Sequence, residues 1–190
     1  MRLPIKELAG DETLGGTAPG ELLLAALLSA IAEKDCNAPI FIDFEEISIA
    51  TNSFLRVAIL GFRSFCRENR PACPIVVANA NYAVADELHQ LLRSRRDALV
   101  TCRLDETGPH EARILGHLDE KQSLALNAVL DLGKADAPTL ARKCETTQIG
   151  RFTKWNNRLR ALVQKGILIE QTAGRSKMYS PVLEGLRYGN

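Results

Sequence analysis

The chain has 190 residues, of which 46% are hydrophobic and 25% charged, with a formal net charge of +1. That length can bury one generous core or two modest ones, and a change of pattern near the middle favours two small domains. No apolar run approaches the roughly 18 residues that span a bilayer; the longest candidate, Leu22 to Ile31, is interrupted by Ser29 and flanked by acids.

The first residues lack the basic, apolar and small-residue order of a signal peptide, so a cytoplasmic protein with no membrane partner is expected. The cysteines Cys36, Cys66, Cys73, Cys102 and Cys144 are odd in number and contain no C-x-x-C pair. Neither a disulfide framework nor a zinc ribbon is suggested, and buried, inert thiols are expected. His89, His110 and His117 form no H-E-x-x-H arrangement, so no metal and no other cofactor is expected.

The halves differ in charge. Through His117 there are 12 Lys and Arg against 16 Asp and Glu, a net −4; from Leu118 onward there are 12 against 7, a net +5. An acidic interaction module joined to a part that meets a polyanion would have this form.

In the first half, Asp11 to Gly20 contains Gly15-Gly16 without the spacing of a dinucleotide or phosphate loop, and reads as a loop feeding a helix over Pro19 to Glu33. Pro39 to Phe44, Pro74 to Ala78 and Ala98 to Cys102 read as three buried strands, parallel neighbours in one sheet. Between them, Asn52 to Glu68 and Tyr82 to Arg95 have helical periodicity, illustrated by Leu55, Ala58, Ile59, Phe62, Phe65 and Cys66. Each helix is expected to cover one face of the sheet, which gives an α/β domain over 1–102. Asp43, Glu45 and Glu46 stand beside a turn with no nucleophile motif or metal-ligand partner, so structural or interface roles are expected and catalysis is not.

The segment Ile42-Asp-Phe-Glu-Glu-Ile47, leading through Ala50-Thr-Asn-Ser-Phe54 into a helix, resembles the STAS-like regulatory domains of bacterial signalling proteins. In the related anti-sigma-factor antagonists this helix opens with Asp-Ser-Ser-Gly, whose first Ser is phosphorylated. Laid on this chain, those four positions fall on Thr51, Asn52, Ser53 and Phe54, so the acceptor position holds an amide. Thr51, Asn52 and Ser53 are the candidate regulatory residues. A phosphate on Thr51 or Ser53 would meet free N–H groups and a favourable dipole, while the same residue types are also the preferred N-caps.

Residues 103–117 mix charge with Gly and Pro, carry no sustained period, and read as a linker. In 118–190, a first helix over Asp119 to Leu132 has an apolar stripe at Leu124, Ala128, Val129 and Leu132 and ends at Gly133. Asp136 caps a short second helix with Pro138 in its first turn and Leu140, Ala141 and Cys144 turned inward. Glu145 to Thr147 makes a tight turn into a third helix from Gln148 to Lys165, closed by Gly166. On that helix Phe152, Trp155, Leu159, Leu162 and Val163 share one side, and Gln148, Arg151, Lys154 and Arg158 the other. Ile167 to Val182 reads as two strands around Thr172 to Ser176.

Trp155 to Leu168, followed by Gly174-Arg175 and Tyr179 to Val182, resembles the recognition helix, its Gly stop and the wing of winged helix-turn-helix transcription regulators. The resemblance covers about 70 residues. It implies an α+β winged domain with major-groove contact from Gln148, Arg151, Lys154, Asn157 and Arg158, and backbone contact from Arg175 and Lys177. Gln and Asn match adenine edges, Arg matches guanine, and Lys serves a base or a phosphate.

The expected function is a non-enzymatic, DNA-binding transcription regulator, a homodimer on double-stranded DNA, whose STAS-like domain mediates dimerisation or binds a protein partner. The alternative is a protein-interaction adaptor whose winged helix docks protein.

Overall fold

The computed structural model describes residues 1–34, 37–144, 151–174 and 176–188. In chain order its elements are β1 (Arg2–Pro4), α1 (Ile5–Ala9), β2 (Thr13–Leu14), α2 (Thr17–Ile31), β3 (Ile40–Asp43), β4 (Ile49–Ala50), α3 (Asn52–Asn69), β5 (Ile75–Ala78), α4 (Tyr82–Ser94), β6 (Ala98–Asp105) and β7 (Gly108–Gly116). They continue with α5 (Glu120–Leu132), β8 (Ala135–Asp136), α6 (Ala137–Cys144), α7 (Arg151–Gln164), β9 (Leu168–Ala173) and β10 (Ser176–Pro181). The class is mixed α/β, and no described helix is long and apolar enough to cross a membrane.

The main sheet has the order β1-β3-β5-β6-β7. The three strands expected in the first half are parallel neighbours, with Ile40 opposite Ile75 and Val76 opposite Val100. Strand side chains alternate between faces, and here both faces are apolar. Ile40, Ile42, Ile75, Val77 and Leu99 enter one core with α2, α3 and α4. Val76, Ala78, Ala98, Val100, Cys102, Ala112 and Ile114 enter a second core with α5, α6, α7 and the C-terminal strands. A strand covered on both sides reads as a continuous apolar run, which is why Ile75-Val-Val-Ala78 shows no alternation of polarity.

Residues 103–117 differ from the expected linker. They form the end of β6 and all of β7, an antiparallel hairpin in the same sheet. The physical reason is a short period of two: Ala112 and Ile114 turn inward while Glu111 and Arg113 face solvent. Asp105 closes the turn by accepting from the Thr107 amide at 2.8 Å and its hydroxyl at 2.6 Å. The open edge of β7 is then covered by the chain's own tail, since Arg187 donates its amide to Ala112 at 3.0 Å and accepts from Ile114 at 3.1 Å. Covering an edge in this way removes unpaired backbone groups from solvent.

In the C-terminal half, Asp119 caps α5 through a reciprocal arrangement with Gln122, and Asp136 caps α6 by accepting from Thr139 at 2.8 Å. The apolar stripe of α5 is rotated from the expected one. Ala125, Leu126, Ala128 and Val129 are buried, whereas Leu124 is 51% and Leu132 38% exposed. The buried side of α5 faces α7, β10 and α6, the elements it packs against, and that direction places Ala125, Leu126, Ala128 and Val129 in the second core. Phe65 of α3 is also partly exposed, unlike its neighbours Phe62 and Cys66. β8, β10 and β9 form a small antiparallel sheet, with Ser176 opposite Ala173 at its hairpin end.

Gly116 joins the hairpin to α5 where φ is +97° and a Cβ would lie 2.3 Å from the Asp97 carbonyl oxygen and 2.8 Å from the Leu92 Cβ. Gly116→Ala is therefore expected to cost about 3 kcal/mol in urea unfolding, from backbone strain and overpacking. Gly174→Ala, at φ +62° with nothing within 4 Å, should cost about 1 kcal/mol. Equal losses at the two sites would contradict this packing.

Candidate nucleic-acid interface and its anchoring

The two sides of α7 behave differently. Trp155, Leu159 and Leu162 are fully buried, while Lys154 and Asn157 on the other side are exposed. Arg158 is half-buried: its guanidinium lies over the Trp155 ring, 5.1 Å from the centroid. Its Nη1 is buried without a hydrogen-bond partner among the described residues. The ring quadrupole attracts the stacked guanidinium, and the contact keeps part of its head group out of solvent.

Lys154, Asn157 and Arg158 thus share one surface of α7. Arg151 opens the helix, but its side chain, like that of Phe152, lies outside what is described; Gln148, Arg175 and the turn Glu145 to Thr147 are also outside the described residues. Lys177 stands on β10 and pairs with Glu170 across the hairpin at 2.6 Å. Beneath that pair Tyr179 is buried, and burial, with Glu170 adding to it, pushes its phenol up to about 12.

The other end of α7 is held by the first half of the chain. Arg63 of α3, only 4% exposed, donates to the Asp97 carboxylate at 2.8 and 3.3 Å, to the Ala98 carbonyl at 2.6 Å and to the Lys165 carbonyl at 2.8 Å. Arg67, one turn later, donates to the Gln164 carbonyl at 3.3 Å. Carbonyls at a helix C-terminus lack intrahelical partners and sit at the negative end of the dipole, so a guanidinium there satisfies both needs. Lys165 reaches back, donating its ammonium to the carbonyls of Arg96 at 2.8 Å and His117 at 3.3 Å.

This cluster sets its own titration. Burial works to raise the Asp97 carboxyl, but the charge and hydrogen bonds of Arg63 outweigh it and hold Asp97 below the usual carboxylate range. Burial pulls the Arg63 guanidinium and the Lys165 ammonium down, with Asp97 opposing in both cases. The sequence reading missed this cluster, although one signal was available: Arg63 occupies the apolar stripe of α3 between Ile59, Phe62 and Cys66.

At the other end of the first half, Thr51 is the N-cap residue of α3 but its side chain makes no cap bond. Its hydroxyl instead lies 3.1 Å from that of Ser53 and accepts from the Gly16 amide at 3.3 Å. Asn52 is exposed and Ser53 half-buried. Thr51, Asn52 and Ser53 thus share a helix start beside the Gly15-Gly16 loop.

Nearby, Asp43 is buried and accepts from Arg2 at 2.5 Å, from the Glu45 amide at 3.0 Å and from Asn79 at 3.0 Å. Asn79, at φ +54°, also exchanges two 2.9 Å bonds with the Leu104 backbone, so this carboxylate locks the carboxyl ends of β3, β5 and β6 together. Burial and Asp43 push the Cys102 thiol up to about 11, away from the thiolate needed for reactivity. Among the described residues no three His, Cys, Asp or Glu side chains gather as a metal site.

No protein-family model matches the chain, and no curated protein matches it.

Asp97→Asn is expected to destabilise the protein by about 3 kcal/mol at neutral pH, because it leaves a buried guanidinium without its counter-charge. Since the Asp97 carboxyl is held low in the folded state, its contribution is complete above the ordinary carboxylate value and fades as pH falls through the lowered one. Urea midpoints from pH 7 down to about 3 should therefore converge for wild type and variant, within the limits of the carboxylate range. A constant gap across that range would contradict the assignment.

Proposed function

We propose that the chain is a DNA-binding transcription regulator in which a winged helix-turn-helix unit is mounted on a STAS-like sheet. The observation that carries the reading is the order α5-β8-α6-α7-β9-β10, with β8, β10 and β9 in one antiparallel sheet and α7 exposing Lys154 and Asn157. Three helices followed by a two-stranded wing is the arrangement that places a helix in the major groove. The net +5 of this half supplies the attraction to phosphate. The STAS-like reading is supported by the parallel β3-β5-β6 core with α2, α3 and α4 on one face.

In this reading Lys154, Asn157 and Arg158 contact the groove and Lys177 approaches the backbone from the hairpin; the winged-helix resemblance extends groove contact to Arg151 and Gln148 and backbone contact to Arg175. Lys177 must leave or share Glu170 to do so, which makes its contribution smaller than that of Lys154. A single unit of this size reads a short site, so a homodimer supplies the second half-site, with the STAS-like half as the pairing or partner-binding surface.

Fluorescence polarisation with random-sequence duplex DNA between about 50 and 200 mM salt tests the reading. Wild type should bind with a steep salt dependence. Lys154→Ala/Asn157→Ala, both at exposed positions, should lose at least about tenfold in affinity while unfolding at an unchanged temperature, with the salt slope reduced by about one for the lost lysine. Light scattering at micromolar concentration should give a dimer mass with operator DNA. Salt-insensitive or absent DNA binding would sink the regulator reading and leave the adaptor.

A further inference from the structure

A half-open cavity of about 370 Å³ lies at the seam between α3 and α7, apart from Lys154 and Asn157 and from the Thr51 helix start. Its walls carry Arg63, Arg67, Arg95, Arg96 and Lys165, against Asp97 as the single carboxylate of the lining. Asp97 is already committed: it takes the bidentate bond from Arg63, the Ala98 amide at 2.8 Å and the Lys165 ammonium at 3.7 Å. Arg63 and Lys165 spend most of their donors on that carboxylate and on backbone carbonyls. Arg67 makes one bond, at 3.3 Å, and Arg95 and Arg96 make no side-chain bond or ion pair with any described residue.

Arg67, Arg95 and Arg96, all exposed, therefore line one concavity in which the only carboxylate, Asp97, is already taken by Arg63 and Lys165. Like charges lining one concavity raise its positive potential and draw an anion to it. The fork of a guanidinium matches a carboxylate or phosphate edge in two parallel bonds, and several forks around a small space favour a ligand with several anionic oxygens. The Ser64 hydroxyl and the Gln122 amide lie in the same lining as uncharged donors. The volume falls in the range of small-ligand pockets, which start near about 300 Å³.

We propose that this cavity binds a small ligand bearing a phosphate or diphosphate group, held by Arg67, Arg95 and Arg96. The ligand would bridge α3 and the turn after α4, on the outward side of the arginines whose donors already meet the C-terminal carbonyls of α7. Binding itself needs no DNA; its consequence for α7 rests on the regulator reading above.

Calorimetric titration of the full chain with inorganic pyrophosphate, at ionic strength held constant with chloride, tests the site. Saturable one-to-one binding is expected, weaker for inorganic phosphate and weakened at least tenfold in Arg95→Gln/Arg96→Gln. Arg103→Gln/Arg113→Gln, which removes the same charge from the exposed β6-β7 hairpin, should bind pyrophosphate within twofold of wild type. Both double variants should unfold near the wild-type temperature in the absence of pyrophosphate. No saturable binding up to 10-fold below molar pyrophosphate, or equal loss in both variants, would overturn the proposal. So would a loss of duplex-DNA affinity in Arg95→Gln/Arg96→Gln that is not matched by any pyrophosphate binding in wild type, since the arginines would then serve the DNA backbone.

Discussion

The structure depends on one buried guanidinium. Arg63 lies inside the apolar stripe of α3, where an unpaired cation would be expelled, and it is retained because four acceptor contacts surround it. Those acceptors come from two places far apart in the chain: Asp97 and Ala98 at the start of β6, and Lys165 at the end of α7. The ion pair alone would be weak evidence for stability, because desolvation offsets the attraction. Its value is positional. With Asp97 held by its own bond from the Ala98 amide, the guanidinium ties the Lys165 carbonyl at the end of α7 to the start of β6.

Around that point the two halves share a core. The sheet of the first half has no polar face to show to water, since Val76, Ala78, Ala98, Val100 and Ile114 on its second side are all buried beneath the C-terminal elements. At about 25 cal/mol per Å² of apolar surface removed from water, leaving that face open would be costly, and the C-terminal half in turn uses it as floor. The tail bridge from Arg187 to Ala112 and Ile114 and the Tyr188 hydroxyl bond to the Leu118 amide close the same contact from the edge. Packing α7 against α5, α6 and β9 fixes which surface is covered and which is shown: Trp155 and Leu159 are buried, Lys154 and Asn157 exposed.

Much of this organisation was legible in local pattern. The strands at Ile40, Ile75 and Ala98, the helices between them, the caps at Asp119 and Asp136 and the buried side of α7 all follow from periodicity and capping chemistry over a few residues. What was not legible depended on partners distant in sequence. β7 was hidden because its inward alternation rests on Ala112 and Ile114 alone, between Gly-Pro and Gly residues that look like a connector. Leu124 and Leu132 share the helical spacing of a core stripe, but which side of α5 is covered depends on the placement of α7, β10 and α6, which no local pattern carries. Within the candidate interface, Lys154 and Asn157 could be placed from helical spacing, but the stacking of Arg158 on Trp155 and the pairing of Lys177 with Glu170 needed the folded geometry. The Arg63 cluster joins residues up to 102 positions apart, beyond any local pattern.

If one cooperative body holds the cationic surface of α7, then α3, β5, β6 and α7 must open together. Native-state hydrogen exchange on the full chain measures this directly, because amides in one cooperative unit share one opening free energy. In a single cooperative body the slowest amides of β5, β6 and α7 exchange with opening free energies that agree within about 1 kcal/mol and fall together as urea is added. Slow exchange in β5 and β6 alongside α7 amides that open several kcal/mol more easily would contradict it, showing a C-terminal unit that unfolds without disturbing the sheet.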